Sequence, residues 1–495
     1  MNAAGLGLGE PRLVWERFLE LTRIPRPPKE EERVREHVLA WASRHGLEGA
    51  VDAAGNVAVR VPATPGRESA PTVVLQAHLD MVCERDPESP YDSREGRIHV
   101  VREGDWLLAE GTTLGADNGI GVAAAMAVAR DPEIAHGPLE LLFTVSEEQG
   151  LEGAKALDPA LVTGRLLLNL DGSSDGSLTI GCAGSTHIFT RLGLVRGSAP
   201  PGSVTLEVRL GGARGGHSGG DIARGRLNAI KALGRVLSQA RLQASFLLAA
   251  LDGGVSRNAI PRDARALLSV SSSLEPALRA AAGVELAALH EEYAGTDDGV
   301  TLSIEPALAE APADEQATEQ ALELLAAIPT GVLAMSAGAD DVVETSTSLN
   351  VASTEEGVLT LASMTRSAKA DALEEVVATI ERAAGRAGAE VEVRRSYPPW
   401  EPDPDSPLLG SARGTFSRLF GSDPRLEVVH GGLECAVIGG KLEGVQMISL
   451  GPEIVGPHAP GERLSVSGTQ RFYRLLGALL DDLSSRERHG RQVPV

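Results

Sequence analysis

Histidine and acidic residues end three apolar runs of the sequence, at positions where buried strands would finish. The runs PTVVLQAHLD, LELLFTVSEE and LLLNLD end on His78 and Asp80, on Glu147 and Glu148, and on Asp171. Ligands of open α/β sheets bind beyond the carboxyl ends of the strands. We therefore expect these five side chains to meet at one edge of one sheet.

Two further candidates for this edge lie outside the strand-like runs. Asp117 lies in GADNG, a glycine turn that opens a helix, and His458 lies between two prolines in GPEIVGPHAPGERL. Carboxylates that crowd together repel one another, and a bound cation removes that penalty. Two histidines with several carboxylates form a mixed N/O ligand set that suits zinc, with cobalt or manganese as alternatives. The ligands are too many for one tetrahedral site, so they predict two divalent cations that share a bridging carboxylate.

Strand-like and helix-like patterns alternate around these residues. For example, GADNGIGVAAAMAVARDP reads as a glycine-rich turn followed by an alanine-rich helix that ends at a proline. This alternation predicts an α/β fold in which a mixed, mostly parallel sheet is flanked by helices. After GCAGS the patterns change to alternating strands and amphipathic helices, which predict an inserted α+β domain. We place the two parts of the first domain at residues 1–186 and 399–495, and the insert at residues 187–398.

The composition restricts the class of protein. The chain has 495 residues, of which 42% are hydrophobic, and is long enough for more than one domain. Its net charge of −22 disfavours nucleic acid and anionic membrane surfaces as partners. The cysteines Cys83, Cys182 and Cys435 are far apart, and the sequence contains neither a signal-peptide pattern nor 18 consecutive apolar residues. We therefore expect a cytoplasmic protein without disulfides.

Seven motifs of the chain together resemble one clan of enzymes. HLDMV, GADNGIG, SEEQGLEGA, NLDG, GGHSGGDI, RNAIP and GPHAPGERL follow one another in the order found in the co-catalytic zinc aminoacylase and carboxypeptidase clan. Within that clan the chain is most similar to the aminoacyl-histidine dipeptidases, also called Xaa-His dipeptidases or peptidase D. The resemblance implies a zinc-peptidase catalytic domain with an inserted domain of the lid or dimerisation type, a small peptide substrate and a possible homodimer.

The resemblance also implies which residues hold the two metal ions. His78 and Asp171 correspond to the terminal ligands of one metal, and Glu148 and His458 correspond to those of the other. Asp117 corresponds to the ligand that bridges them.

Further roles in catalysis follow from the same resemblance. Glu147 corresponds to the general base, and Asp80 to the carboxylate that orients the first histidine ligand. In relatives, the histidine at the position of His217, in the insert, stabilises the substrate carbonyl oxygen as it becomes an oxyanion.

The remaining resemblances concern substrate binding. Asn258 in RNAIP and Arg366 in MTRSA resemble groups that hold the terminal carboxylate of the substrate, a task that suits the planar fork of arginine. Glu434 in HGGLEC is either close to the free amine of a dipeptide or a plain structural acid.

These roles imply a dinuclear dipeptidase that hydrolyses unblocked dipeptides, such as those with a C-terminal histidine, through a metal-bridging hydroxide. A tripeptidase or a broad-specificity dipeptidase of the same clan is an alternative, because pocket dimensions decide which peptides fit. Two other classes stay open. The run GHSGG matches the nucleophile pattern G-x-S-x-G, with Ser218 as the nucleophile of a serine hydrolase. A non-catalytic binding protein on the same scaffold would have lost a ligand or the base.

Overall fold

A computed structural model of the chain describes residues 3–336 and 342–485. In this part of the chain the α-helices are α1 (Arg12–Leu21), α2 (Glu32–Arg44), α3 (Ala116–Val128), α4 (Glu152–Ala156), α5 (Ala229–Gln243), α6 (Glu275–Glu292), α7 (Glu315–Ala327), α8 (Ala370–Ala387), α9 (Pro407–Phe420), α10 (Glu434–Lys441) and α11 (Val466–Ser485). The strands are β1 (Glu48–Val51), β2 (Val57–Val61), β3 (Val73–His78), β4 (Val100–Glu103), β5 (Trp106–Ala109), β6 (Leu139–Thr144), β7 (Leu166–Asn169), β8 (Ser177–Cys182), β9 (Gly184–Gly193), β10 (Ser203–Gly211), β11 (Gly216–His217), β12 (Phe246–Gly253), β13 (Ala259–Ile260), β14 (Ala264–Ser271), β15 (Thr301–Pro306), β16 (Gly331–Met335), β17 (Val343–Glu355), β18 (Val358–Ser367), β19 (Glu390–Tyr397), β20 (Arg425–Val429), β21 (Gln446–Ser449), β22 (Ile454–Val455) and β23 (Arg463–Ser465).

The chain forms two compact units. The first comprises residues 3–181, 402–428 and 433–485, and the second comprises residues 182–336, 342–401 and 429–432. The sequence analysis places the corresponding boundaries at 186/187 and 398/399. It does not separate the four residues 429–432, because so short a segment has no periodicity of its own.

The first unit contains a mixed sheet of eight strands in the order β1-β2-β6-β3-β7-β21-β8-β20. Its centre is parallel, because β3 pairs in parallel with β6 and β7, and β7 pairs in parallel with β21. The outer pairs β1–β2, β2–β6 and β21–β8 are antiparallel. Every residue of β3 and β6 is buried, which explains why both strands read as nearly continuous apolar runs.

Helices complete the core of the first unit. Apolar residues of α1, α2, α3, α9 and α11 form one cluster with the central strands. Helix α3 consists largely of alanine and glycine, which allow close packing between α1 and β3. The predicted α/β fold is confirmed in this unit. No helix in residues 3–336 and 342–485 is long and apolar enough to cross a bilayer.

The second unit has the mixed strand and helix content expected of the insert. Its nine-stranded sheet has the order β15-β10-β14-β12-β17-β18-β9-β19, and β16 pairs with β17. The neighbouring strands pair antiparallel, and helices α5, α6, α7 and α8 share an apolar core with the sheet. The predicted α+β insert is confirmed.

Candidate metal centre

The parallel centre of the first sheet places three groups of polar side chains at one edge. His78 is the last residue of β3, Asp171 lies two positions after the end of β7, and Glu147 and Glu148 follow β6. Because β3 lies between β6 and β7 and runs parallel to both, the carboxyl ends of these strands are adjacent. Asp117 comes from the first turn of α3. The structure therefore assembles these side chains as the strand pattern leads one to expect.

His78 contacts two carboxylates through one ring nitrogen. Its Nε2 atom is 3.0 Å from Oδ1 of Asp117 and 3.5 Å from Oδ1 of Asp171. The imidazole is buried, and the Asp171 side chain is 11% exposed. These three atoms form one half of the cluster.

His458 makes the equivalent contacts in the other half. It lies in the loop between β22 and β23 with a left-handed backbone (φ 68°), which few non-glycine residues adopt. Its Nε2 atom is 3.3 Å from Oδ2 of Asp117 and 3.1 Å from Oε1 of Glu148. The two carboxylate oxygens of Asp117 therefore face two different histidines.

The donor set fits a pair of divalent cations. Ligand atoms of a tetrahedral site with bonds of about 2.0–2.1 Å lie about 3.3 Å from one another. The four contacts above are 3.0–3.5 Å long. His78, Asp117 and Glu148 each offer one ligand atom within 4.8 Å of the others, and Oε1 of Glu148 is buried and faces Nε2 of His458.

The side chains of the cluster shift one another's pKa values. Burial raises the pKa of Asp171 to about 7, and the nearby Asp117 carboxylate acts in the same direction. Hydrogen bonds to Asp117 and Glu148 raise the pKa of His458 to about 11. Divalent cations favour deprotonated ligands, so they would relieve the repulsion among the carboxylates and displace the protons from both groups.

Asp80 supports both sides of this cluster. Its Oδ1 atom lies 3.4 Å from Nδ1 of His78, the nitrogen that faces away from the other carboxylates. Its two oxygens also accept hydrogen bonds from the backbone N–H groups of Glu147 (3.0 Å) and Glu148 (3.1 Å). Nδ1 of His78 also lies 3.2 Å from the backbone oxygen of Asp80. Asp80 thus fixes the ring orientation of the histidine through both groups, and its carboxylate fixes the backbone that carries two acidic residues. The sequence suggests only the first of these tasks.

Glu147 lies in the same electrostatic environment. Burial raises the pKa of its carboxyl group well above the ordinary value, and the carboxylates of Asp171, Glu148 and Glu434 add to this effect against the opposing charge of His78. A raised pKa makes the carboxylate a stronger proton acceptor, which suits the role of a general base.

Glu462 is a functional residue that the sequence analysis misses. Its buried carboxylate accepts four backbone N–H groups at the start of α3, from Leu114 (2.7 Å), Gly115 (2.8 Å), Ala116 (2.8 Å) and Asp117 (3.1 Å). It therefore fixes the turn that presents the Asp117 carboxylate. The sequence contains a signal for Glu462, because this acid lies four positions after His458 within the motif GPHAPGERL.

Replacing Glu462 by glutamine is expected to weaken this turn, because an amide has one accepting oxygen where the carboxylate has two. We expect the free energy of unfolding to fall by about 1–3 kcal/mol and metal affinity to fall about 10–100-fold. Thermal unfolding and metal titration measure the two effects. Glu443→Gln changes an exposed glutamate and is the matched control. Wild-type metal affinity in the Glu462 variant would show that Asp117 needs no such support.

Arg26 is a second supporting residue that is not predicted from the sequence, and no motif marks it. Its guanidinium is buried and donates to the backbone oxygens of Leu79 (2.9 Å), Asp80 (2.9 Å) and Gly115 (2.6 Å). It thereby ties the segment after β3 to the turn before α3. Five donors in a fixed plane suit an arginine to bridging several carbonyl groups.

Glu434 lies in a buried chain of polar side chains. Its Oε2 atom accepts hydrogen bonds from Gln76 (2.5 Å) and Thr144 (2.6 Å), and Oε1 of Gln76 accepts one from Asn169 (2.6 Å). Burial raises the pKa of Glu434 to about 7. This series of hydrogen-bonded side chains links the ends of β3, β6 and β7, which carry the acidic and histidine residues described above.

The second unit holds the other predicted site residues. His217 lies on β11, opposite Ala259 of β13, and the neighbouring Ser218 N–H donates to the backbone oxygen of Asn258 at 2.8 Å. Nδ1 of His217 accepts backbone hydrogen bonds from Gly220 (2.9 Å) and Gly219 (3.3 Å). The neutral ring therefore carries its proton on Nε2, which is the form that can donate to an oxygen.

Arg366, on β18, is 4% exposed and lies beside the same turn. Its Nη1 atom donates to the Tyr397 hydroxyl at 3.3 Å, while Nε is buried without a hydrogen-bond partner in the described chain. A Cβ atom at Gly219 would lie 3.0 Å from Nε of Arg366 and 3.2 Å from Cε1 of His217. No ion pair joins Arg366 to an acidic residue of the described segments, and a buried cation without one is suited to an anionic ligand.

Ser218 has none of the surroundings of an activated nucleophile. Its side chain is 2% exposed, and its hydroxyl contacts the sulfur of Met364 at 3.9 Å. A nucleophilic serine needs a base within hydrogen-bond reach, which a thioether cannot provide. The geometry disfavours the serine-hydrolase alternative.

Fold and site together place the chain among the metal-associated peptidases that combine an α/β catalytic unit with an inserted unit. The chain belongs to the peptidase family M20/M25/M40, whose sequence model matches residues 74–482. The predictions that it is a peptidase and that it is a member of this group of enzymes are confirmed.

Individual relatives refine this assignment. The chain is 35% identical over 477 residues to the cytosol non-specific dipeptidase of Escherichia coli K12, covering 96% of this chain and 98% of that protein. The crystal structure of aminoacylhistidine dipeptidase from Vibrio alginolyticus superposes with a TM-score of 0.86 at 35% identity, covering 95% of this chain and 96% of that one. Aminopeptidase PepT of Bacillus cereus shares the fold, with a TM-score of 0.56 at 18% identity over 96% of this chain and 99% of that one.

Proposed function

We propose that this protein is a dinuclear, metal-dependent dipeptidase that hydrolyses unblocked dipeptides in the cytoplasm. The observation that carries the proposal is the position of Asp117, whose two oxygens face His78 on one side and His458 on the other. A carboxylate whose two oxygens face two different histidines can bridge the two cations of a two-metal site. The dipeptide substrate is supported by the names of both relatives at 35% identity, and the cytoplasmic location by the name of the Escherichia coli relative alone.

Five residues would hold the cations. We assign His78 and Asp171 to one cation, Glu148 and His458 to the other, and Asp117 to both. Zinc suits this ligand set best, with cobalt or manganese as substitutes. When bound, a pair of divalent cations lowers the pKa of water and polarises the carbonyl group of the scissile bond.

The protein's own groups complete the reaction. Glu147 takes a proton from the attacking water and passes it to the leaving amine, while Asp80 holds the backbone of Glu147 in place. In the second unit, Nε2 of His217 is the donor for the developing oxyanion, in keeping with the backbone hydrogen bonds that occupy Nδ1.

Substrate recognition is assigned to the second unit as well. Arg366 and Asn258 bind the terminal carboxylate. The buried guanidinium of Arg366, which forms no ion pair within the described residues, supports this role. For Glu434, complete burial and the hydrogen bonds to Gln76 and Thr144 favour the structural role over contact with the substrate amine. The resemblance also implies that the second unit acts as a lid, and it leaves both a monomer and a homodimer open, which light scattering in solution distinguishes directly.

The two relatives support different side-chain preferences. One is named a non-specific dipeptidase and the other an aminoacylhistidine dipeptidase, so a broad specificity is the second candidate within the same mechanism. The choice depends on how the pocket receives the C-terminal side chain.

A peptide panel tests the proposal. We expect hydrolysis of Ala-His and Leu-Gly, no hydrolysis of N-acetylated dipeptides or of tripeptides, and complete loss of activity after chelation with recovery on addition of zinc, cobalt or manganese. The ratio of kcat/KM for Ala-His and Leu-Gly separates the two candidate specificities. Activity that survives removal of all bound metal would contradict the proposal.

A further inference from the structure

The first unit also contains a cavity of about 330 Å³ whose lining shares no residue with the candidate metal centre. Its apolar wall is formed by residues of α9 and α11 and by the residue that follows β21, namely Phe416, Phe420, Phe472, Leu475 and Leu450. The chain has seven phenylalanines, and three of them line this one cavity. A largely apolar cavity of this volume falls within the range of small-molecule binding sites.

A pair of opposite charges lines the solvent-facing side of the cavity. Arg471 and Asp175 are 46% and 21% exposed, whereas Phe472 is 3% exposed. Nε of Arg471 donates to Oδ2 of Asp175 at 2.9 Å, and the main-chain oxygen of Asp175 accepts a hydrogen bond from Arg425 at 3.2 Å. When a ligand fills the apolar part of the cavity, its solvent-facing end therefore lies beside one cation and one anion.

We propose that this cavity binds a free amino acid with an apolar side chain. The side chain of the ligand packs against the phenylalanine and leucine residues, its ammonium group pairs with Asp175, and its carboxylate pairs with Arg471. A zwitterion can pair with both members of the Arg471–Asp175 ion pair, whereas a fatty acid or an apolar amine can pair with only one of them. Binding of an amino acid at this cavity does not depend on the proposed peptidase reaction. Only one point rests on the proposed function, namely that such an amino acid is also a product of that reaction.

The cavity wall is in backbone contact with a segment of the candidate metal centre. The Leu450 N–H donates to the oxygen of Asn169 at 3.0 Å, and the Gly172 N–H approaches the oxygen of Leu450 at 3.4 Å. A Cβ atom at Gly451 would lie 1.8 Å from the oxygen of Gly172, so the two backbones touch where no side chain fits. Asp171 lies within this segment, and an occupant of the cavity that shifts the wall is therefore expected to alter kcat.

Calorimetric titration of leucine into the metal-loaded full chain tests the proposal. We compare the wild type with Asp117→Asn, which disrupts the candidate metal centre, with Arg471→Gln, and with the control Arg413→Gln, which changes another half-exposed arginine of an ion pair. We expect equal binding to the wild type, Asp117→Asn and Arg413→Gln, and about tenfold or greater weakening in Arg471→Gln. N-acetyl-leucine amide, which carries no charge, is expected to bind at least about tenfold more weakly than leucine.

Three results would overturn the proposal. They are loss of leucine binding in Asp117→Asn, which would place the ligand in the metal centre, unchanged binding in Arg471→Gln, and equal binding of N-acetyl-leucine amide. Saturating leucine should change kcat of the wild type and leave kcat of Arg471→Gln unchanged. If leucine instead competed with the peptide substrate at the metal centre, it would raise only KM, and it would do so in both proteins. Failure of the chain to hydrolyse any peptide would leave the titration unaffected, so the two proposals are tested independently.

Discussion

Glu147→Gln is expected to lower kcat by about 10²–10⁴-fold while the protein retains both metal ions. Glutamine preserves the size of the side chain and cannot accept the proton of the attacking water. The backbone of residue 147 keeps its hydrogen bond to Asp80, so Glu148 should stay in position as a ligand. Steady-state kinetics on a dipeptide and metal analysis of the purified variant measure the two effects.

Glu152→Gln is the matched control for this change. Glu152 lies nearby on α4, is 52% exposed and pairs with Lys29, so its replacement should leave both kcat and metal content unchanged. A Glu147 variant with wild-type kcat would show that another group moves the proton. Loss of metal together with activity would instead make Glu147 a ligand.

Asp117→Asn is expected to remove at least one of the two cations and to abolish activity. An amide offers one oxygen as a ligand, whereas the wild-type carboxylate faces His78 with Oδ1 and His458 with Oδ2. The loss should exceed the roughly 10–100-fold effect of changing a residue that only supports a ligand. Metal content after dialysis and kcat/KM are the measurements.

The control for this variant is Asp86→Asn, which changes an exposed aspartate in the same charge-reducing way. Circular dichroism of both variants establishes that they are folded. If the Asp117 variant kept two tightly bound cations and its activity, this residue would not be the bridge between them.

Strand periodicity was enough to find the part of the site that belongs to the central sheet. His78, Glu148 and Asp171 follow buried strands, and parallel pairing brings the ends of those strands together whatever the details of packing. Asp117 lies at the start of a helix and His458 lies in a loop, where strand periodicity predicts nothing, so their prediction depended on glycine and proline motifs. The fold class was accessible for the same reason, because alternating strands and helices permit few sheet arrangements.

The residues that support the site could not be found in this way. Glu462 and Arg26 act by binding backbone groups that are distant in the sequence, and no spacing rule connects them to their partners. The second task of Asp80, which holds the backbone of the Glu147–Glu148 segment, has the same origin. The cavity near Phe416 and Phe472 exists because two distant helices meet, which hydrophobic patterns predict only as burial.

Locating the bound metal ions tests whether the five side chains form a dinuclear site. Anomalous diffraction at the zinc absorption edge, from crystals of the zinc-loaded protein, locates each ion without reference to activity. We expect two peaks, one bounded by His78 and Asp171 and the other by Glu148 and His458, with the Asp117 carboxylate between them. A single peak, or peaks away from these five side chains, would contradict this assignment.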